Sequence, residues 1–140
     1  MIASERITVP VDGAAPRRAR TAANIGRVCT GLVALFLAFD TVLKVLKLGP
    51  AVEGTMALGY PPGSVQGIGI IELVCLVLYL LPRTSVLGGL LLTGYLGGAT
   101  ATHVHAGEPF FMPVLCGILV WIGLYLREPR LSGLVPLRKL

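Results

Sequence analysis

Four long runs of apolar residues divide the chain, and short polar segments separate them. The runs cover residues 28–46, 65–81, 85–104 and 110–126. With a rise of 1.5 Å per residue, a helix of about 17 to 20 residues is roughly 25 to 30 Å long, which matches the hydrocarbon core of a bilayer. Backbone polar groups in lipid must be paired within the segment, so such runs form helices rather than open strands. The pattern therefore predicts an all-α protein, a transmembrane four-helix bundle.

Charged residues are almost excluded from these runs. Of the 12 Lys and Arg and the 7 Asp and Glu, only Asp40, Lys44 and Glu72 fall inside them. The composition agrees, since 14% of the residues are charged, whereas soluble domains carry about 25%. A soluble helical bundle is the alternative, but it would need a polar face at every turn, and residues 86–92 have none. The net charge of +5 comes with no nucleic-acid-binding signature, so no nucleic-acid partner is expected.

Basic residues indicate how the chain is oriented. Arginines cluster before the first run, one lies between the second and third runs, and basic residues follow the fourth. The positive-inside rule then places both termini on the cytoplasmic side of the plasma (inner) membrane of a bacterium. We expect a flexible basic tail at residues 1–23, the four-helix domain at 24–130 and a C-terminal tail at 131–140. A proline and a glycine flank residues 51–58, which predicts a short surface helix in the first outer loop.

Ionisable residues inside a spanning helix are costly, and they are therefore informative. Asp40 and Lys44 are four residues apart, which places them on one helix face. If the helices alternate in direction, the helical rise brings Glu72 to nearly the same depth. Thr100 and His103 on the third run reach the same outer half. The sequence thus predicts a polar, ligand-binding pocket at this depth.

Three uses of that pocket remain open. Its ionic groups could neutralise one another as structural links between helices, hold a ligand or an ion, or transfer protons. No metal is expected, because His103 and His105 have no cysteine or further histidine nearby. Cys29, Cys75 and Cys116 lie one per run, which disfavours thiol–disulfide chemistry. The catalytic and nucleotide-binding motifs that we sought are also missing, so no catalytic residue or cofactor is assigned.

Several short segments carry a likeness to a known family. They are residues 40–44 (DTVLK), 52–54 (VEG), 58–61 (LGYP), 71–73 (IEL), 81–83 (LPR), 94–99 (GYLGGA) and 102–103 (TH). In order and spacing they resemble the DoxX-like family of small integral membrane proteins with four spanning helices, over approximately residues 26–127. The resemblance places the family's recurrent polar positions on Lys44, Glu72 and His103. It also implies possible partners, because some relatives are membrane subunits of quinone-linked sulfur-oxidising or oxidative-stress complexes.

The preferred hypothesis is a non-enzymatic membrane protein that binds a small amphipathic ligand, or supports a redox complex, through the polar pocket. A quinone-linked oxidoreductase component is the first alternative, and a structural or assembly module is the second. The pair Gly94 and Gly98 would let helices approach closely, either within the bundle or in a homo-oligomer. The partners to consider are therefore the lipid bilayer, a small ligand or quinone, redox-complex subunits and a second copy of the chain.

Overall fold

The computed structural model of the protein describes residues 17–133. Five α-helices account for most of them: α1 Arg17–Val45, α2 Gly49–Ala57, α3 Val65–Leu80, α4 Ser85–Ala106 and α5 Phe111–Arg127. Single 3-10 turns precede α3 and follow α5, at Pro62–Ser64 and Leu131–Gly133. The described residues contain no β-strand, so the all-α prediction is confirmed for this part of the chain.

Proline and glycine mark most of the helix ends. Pro50 lies in the first turn of α2, where its missing N–H would have no partner within the helix. Gly59 follows α2 with φ of 90°, and Gly107 ends α4 with φ of 72°. Glycine adopts this left-handed conformation without steric cost. Leu81 ends α3 in an extended conformation, because the proline that follows it disfavours continuation of the helix.

The four long helices pack side by side and alternate in direction. Helix α1 contacts α3 and α5, and α4 contacts the same two helices. The start of α1 approaches the end of α5, where a Cβ on Gly26 would lie 2.8 Å from the Cβ of Leu126. The end of α1 approaches the start of α3, where the Gln66 amide donates to the Val45 carbonyl at 3.3 Å. The short helix α2 contacts α1 and α3 at this second end.

The predicted runs correspond to the four long helices, with one difference at the start of α1. The first run was expected to begin at residue 28, but α1 begins at Arg17. Residues 17–23 are helical because alanine and arginine are strong helix formers even without an apolar pattern. The expected N-terminal tail thus overlaps the helix, and its remainder, residues 1–16, lies outside the described residues, as do residues 134–140 of the expected C-terminal tail. Helix α2 matches the short helix expected between the first two runs.

Apolar side chains cover the outside of the long helices. Leu35 and Phe111 are each 72% exposed, and large apolar residues on α3 and α4 are exposed as well. Soluble proteins rarely show contiguous exposed apolar patches larger than a few hundred Å². Two segments, Arg17–Val45 and Pro62–Leu80, are long and apolar enough to cross a membrane, and Phe111–Arg127 is a shorter apolar helix. Together these features are typical of a protein whose exterior faces lipid.

Tyr79 of α3 joins three helices at the end of the assembly where α1 begins. It is completely buried, and its hydroxyl donates to the Val120 carbonyl of α5 at 3.0 Å. The same oxygen lies 3.2 Å from the Thr30 hydroxyl of α1. Glycines permit this close packing: a Cβ on Gly88 of α4 would overlap the backbone of Tyr79, and one on Gly123 of α5 would lie 2.5 Å from Thr30 Oγ1. This end of the assembly is therefore tightly packed around the Tyr79 hydroxyl.

The glycine pair singled out in the sequence does not take part in this packing. Cβ atoms added to Gly94 and Gly98 would meet no other atom within 4 Å. The pair therefore mediates no contact between the described helices, and the homo-oligomer that it could serve remains a prediction. The glycines that do bring helices together, Gly88 and Gly89, lie earlier in α4.

Candidate functional site

Lys44 lies at the end of α1 and faces α3. One turn earlier on the same helix is Asp40, and their i, i+4 spacing places both side chains on one face. The two helices approach closely here because α3 has a glycine at the contact, Gly69, where a Cβ would lie 2.7 Å from the Cβ of Lys44. One turn further along α3 is Glu72, which reaches the Lys44 ammonium at 3.0 Å. The sequence-based prediction that Asp40, Lys44 and Glu72 lie at one level therefore matches the geometry.

The Lys44 ammonium donates three hydrogen bonds. Its partners are Asp40 Oδ2, Glu72 Oε2 at 3.0 Å and the Tyr95 hydroxyl of α4 at 3.0 Å. The Tyr95 hydroxyl in turn donates to Glu72 Oε2 at 2.8 Å. An ammonium group has three N–H donors, so Lys44 has no donor left. The four residues, hereafter the Lys44 cluster, link α1, α3 and α4.

Burial differs sharply within the Lys44 cluster. The side chain of Glu72 is 0% exposed, that of Lys44 is 16% exposed and that of Asp40 is 35% exposed. Glu72 Oε1 is buried without a hydrogen-bond partner, while Oε2 accepts two bonds. The other such atom among the described side chains is Thr41 Oγ1. An unpaired buried carboxylate oxygen is costly, and native structures contain few of them.

A cavity of about 500 Å³ adjoins the Lys44 cluster and is lined by residues from all five helices. Phe36, Leu37, Leu96 and Met112 supply apolar wall, and α2 supplies the wall at the end of the assembly. Just after α2, the Tyr60 hydroxyl lies 3.2 Å from the Thr102 hydroxyl of α4. The segment from α2 to Tyr60 therefore extends from the end of α1 to α4 along the edge of the cavity.

The structure brings four of the five predicted pocket residues to this cavity. Asp40, Lys44, Glu72 and His103 all line it, and His103 Nδ1 lies 2.7 Å from the Ala99 carbonyl of its own helix. Thr100 instead faces a groove between α4 and α5, and its hydroxyl donates to the Leu96 carbonyl one turn earlier at 2.8 Å. Thr100 therefore does not line the cavity and lies on a different face of α4.

Tyr95 and Glu108 also line the cavity and were not predicted. Tyr95 closes the Lys44 cluster, and Glu108 lies on the loop after α4 at the edge of the cavity. A signal for Tyr95 was available, because Tyr95, Ala99 and His103 are spaced by four residues and so share one helix face. Glu108 has no comparable signal, since its placement depends on the turn that Gly107 makes at the end of α4.

No metal site is evident in the part of the chain that the structure describes. Residues 17–133 contain no group of three or more His, Cys, Asp or Glu side chains placed to hold a metal ion. The three cysteines are free and lie on α1, α3 and α5. Cys116 lines the cavity, but no other thiol lies with it there.

Comparison with known proteins identifies the family. The family model described as the DoxX-like family matches residues 28–123, which is more than half of the 140 residues and includes every member of the Lys44 cluster. No curated protein and no solved structure matches the chain. The match agrees with the resemblance found in the short sequence segments. The chain therefore belongs to the DoxX-like family.

Proposed function

We propose that this DoxX-like protein is a four-helix transmembrane bundle of the bacterial plasma membrane that binds a small amphipathic ligand in the cavity at the Lys44 cluster. Both termini would lie in the cytoplasm, because the arginines near the start of α1, in the turn between α3 and α4 and after α5 all belong to one end of the assembly. The Lys44 cluster belongs to the opposite half. The ligand cavity would thus lie in the outer leaflet half.

The shape and lining of the cavity support ligand binding. Its volume of about 500 Å³ falls within the range of roughly 300 to 1,000 Å³ that is common for small-molecule sites. The lining combines apolar wall with a few polar groups at one place, which is the usual composition of such sites. Phe36 of α1 and Met112 of α5 line the cavity, and both side chains are exposed. An apolar molecule in the membrane would enter beside them.

The single observation that carries this proposal is Glu72 Oε1. If the Lys44 cluster served only to link helices, both oxygens of its most buried carboxylate would be expected to have partners. One oxygen instead lacks a partner beside a cavity large enough for a ligand. Because this oxygen is itself buried, a ligand that donates a hydrogen bond to it would require the Glu72 carboxylate to turn slightly toward the cavity.

The test is retention of co-purified small molecules by the full-length protein. The protein is extracted in a mild detergent, and bound molecules are identified by native mass spectrometry. We expect a bound species in the wild type and its loss in Glu72→Gln and Lys44→Met. Glu53→Gln is the matched control, because Glu53 is exposed on α2 and does not line the cavity. Equal occupancy in all four proteins, or no bound species in the wild type, would reject the site.

A further inference from the structure

The hydrogen-bond donors of the cavity are already in use. Four lining side chains carry N–H or O–H donors: Lys44, Thr55, Tyr95 and His103. The N–H groups of Lys44 and the O–H group of Tyr95 all donate within the Lys44 cluster. The Thr55 hydroxyl donates to the Ala51 carbonyl at 2.7 Å. His103 Nδ1 faces a carbonyl oxygen, which can only accept, so this nitrogen carries the proton and donates. Among side chains, only the weakly donating thiol of Cys116 is left.

The acceptors of the cavity, in contrast, are largely free. Glu72 Oε1 has no partner. The carboxylate of Glu108 pairs with no basic side chain among the described residues, and Lys44 contacts one of the two oxygens of Asp40. The cavity therefore offers a ligand free hydrogen-bond acceptors, whereas its side-chain donors are already bonded within the protein.

The formal charge of the cavity lining also favours a cationic ligand. Asp40 and Glu108 carry two negative charges against the single positive charge of Lys44, even when the buried Glu72 is not counted. An anion would face repulsion from these carboxylates, and the Lys44 ammonium cannot receive it without giving up a bond inside the cluster. A quinone is also a poor match, because its carbonyl oxygens need donors.

We infer that the ligand is an amphipathic amine: an ammonium group that meets the carboxylates of Asp40 and Glu108, and that of Glu72 once it turns toward the cavity, attached to an apolar body that lies along Phe36, Leu96 and Met112. This inference rests on the proposed function and specifies its ligand class. The accessible member of the cluster is Asp40, whose side chain is 35% exposed, while Glu72 lies deeper at 0%. The ammonium group would therefore meet Asp40 first.

The test uses four probes that share a ten-carbon tail and differ in the head group: decylamine, decanol, decanoate and decylubiquinone. Binding to the full-length protein in phosphatidylcholine nanodiscs at pH 7 is measured by equilibrium dialysis, and uptake by empty nanodiscs is subtracted. We expect saturable binding of decylamine, at least about tenfold tighter than binding of the other three, because one charge-assisted hydrogen bond is worth about tenfold or more in affinity.

Variants locate the site. Asp40→Asn should weaken decylamine binding by about tenfold, because it removes the accessible carboxylate charge. Glu72→Gln should weaken it by a similar factor if the bundle folds, and Asp40→Asn provides the test if it does not. Glu53→Gln should bind as the wild type does.

The outcomes separate this inference from the proposed function. Tightest binding of decanoate or decylubiquinone, or equal binding of decanol and decylamine, overturns the amine while leaving a ligand cavity in place. No binding of any probe above the empty nanodiscs overturns both. Replacing half of the phosphatidylcholine by phosphatidylethanolamine then distinguishes two sources of the ammonium group: competition with decylamine indicates an aminolipid head group, and unchanged decylamine binding indicates a free amine.

Discussion

Removal of the Lys44 ammonium group tests whether the Lys44 cluster is one coupled unit. Lys44→Met keeps an unbranched apolar side chain of similar length but eliminates all three hydrogen bonds of the ammonium group. It also leaves Glu72 without a cation in a position that is 0% exposed. Removing one partner of a buried ion pair costs about 3 to 5 kcal/mol. Because Asp40 is partly exposed and stays solvated, we expect the lower end, a loss of about 3 kcal/mol.

The assay is reversible unfolding in mixed detergent micelles, followed by far-ultraviolet circular dichroism as the fraction of denaturing detergent rises. The double variant Lys44→Met/Glu72→Gln should recover part of the lost stability, because it also removes the buried charge that the single variant leaves unpaired. The expected coupling between the two sites is about 1 to 3 kcal/mol, the range for residues in one ion-pair network. Lys47→Met is the matched control, since Lys47 is exposed and has no ion-pair partner among the described residues.

Two results would refute this reasoning. The first is a loss below about 0.5 kcal/mol in Lys44→Met, which is the size expected of an ordinary surface substitution. The second is strict additivity of Lys44→Met and Glu72→Gln. Either would mean that the two side chains do not depend on each other in the folded protein, and the cluster would then have to be solvated.

Three further predictions follow from the contacts. Tyr79→Phe should cost about 1 to 2 kcal/mol in the same unfolding assay, because it removes the hydroxyl that joins α1, α3 and α5, and an unchanged midpoint would contradict the role of that hydroxyl. Gly88→Ala should cost about 1 to 3 kcal/mol, since its Cβ would overlap the backbone of α3, whereas Gly94→Ala should cause no loss because its Cβ meets open space. Glu108→Gln should lower decylamine affinity by severalfold, because it removes a carboxylate at the edge of the cavity, while Thr100→Val should not, since Thr100 faces another groove; the reverse order would show that the ligand has been assigned to the wrong groove.

Three of the four charged residues at the cavity, Asp40, Lys44 and Glu72, could be singled out from the sequence, because lipid makes ionisable residues costly. Only three of them lie in the apolar runs, and their spacing and depth require them to meet. Tyr95 escaped the same reasoning because a tyrosine in a membrane helix is common and carries no charge. Its role appears only when the faces of α4 are aligned with Lys44. Thr100 shows the limit of an argument from depth alone, because depth does not fix the direction of a side chain around the helix axis, and Thr100 faces another groove.

The fold, too, could be predicted only in part from the sequence. The apolar runs located the four long helices, because helix length and hydrophobicity follow from the bilayer's thickness. The start of α1 was missed because residues 17–23 form a helix through intrinsic propensity, which leaves no apolar pattern. The glycines that pack in α4 could not be separated from those that do not, because the choice depends on which face meets Tyr79.

The hydrogen bonds of Tyr79 make the packing of the helices different at the two ends of the molecule. They hold α1, α3 and α5 together about 10 Å further along α3 than Glu72, counted at the rise of a helix. These contacts fix the spacing of the helices at one end, and they do not involve a bound ligand. At the other end the same helices line a cavity, so substitutions among its lining residues can reshape that cavity without disturbing the bonds of Tyr79.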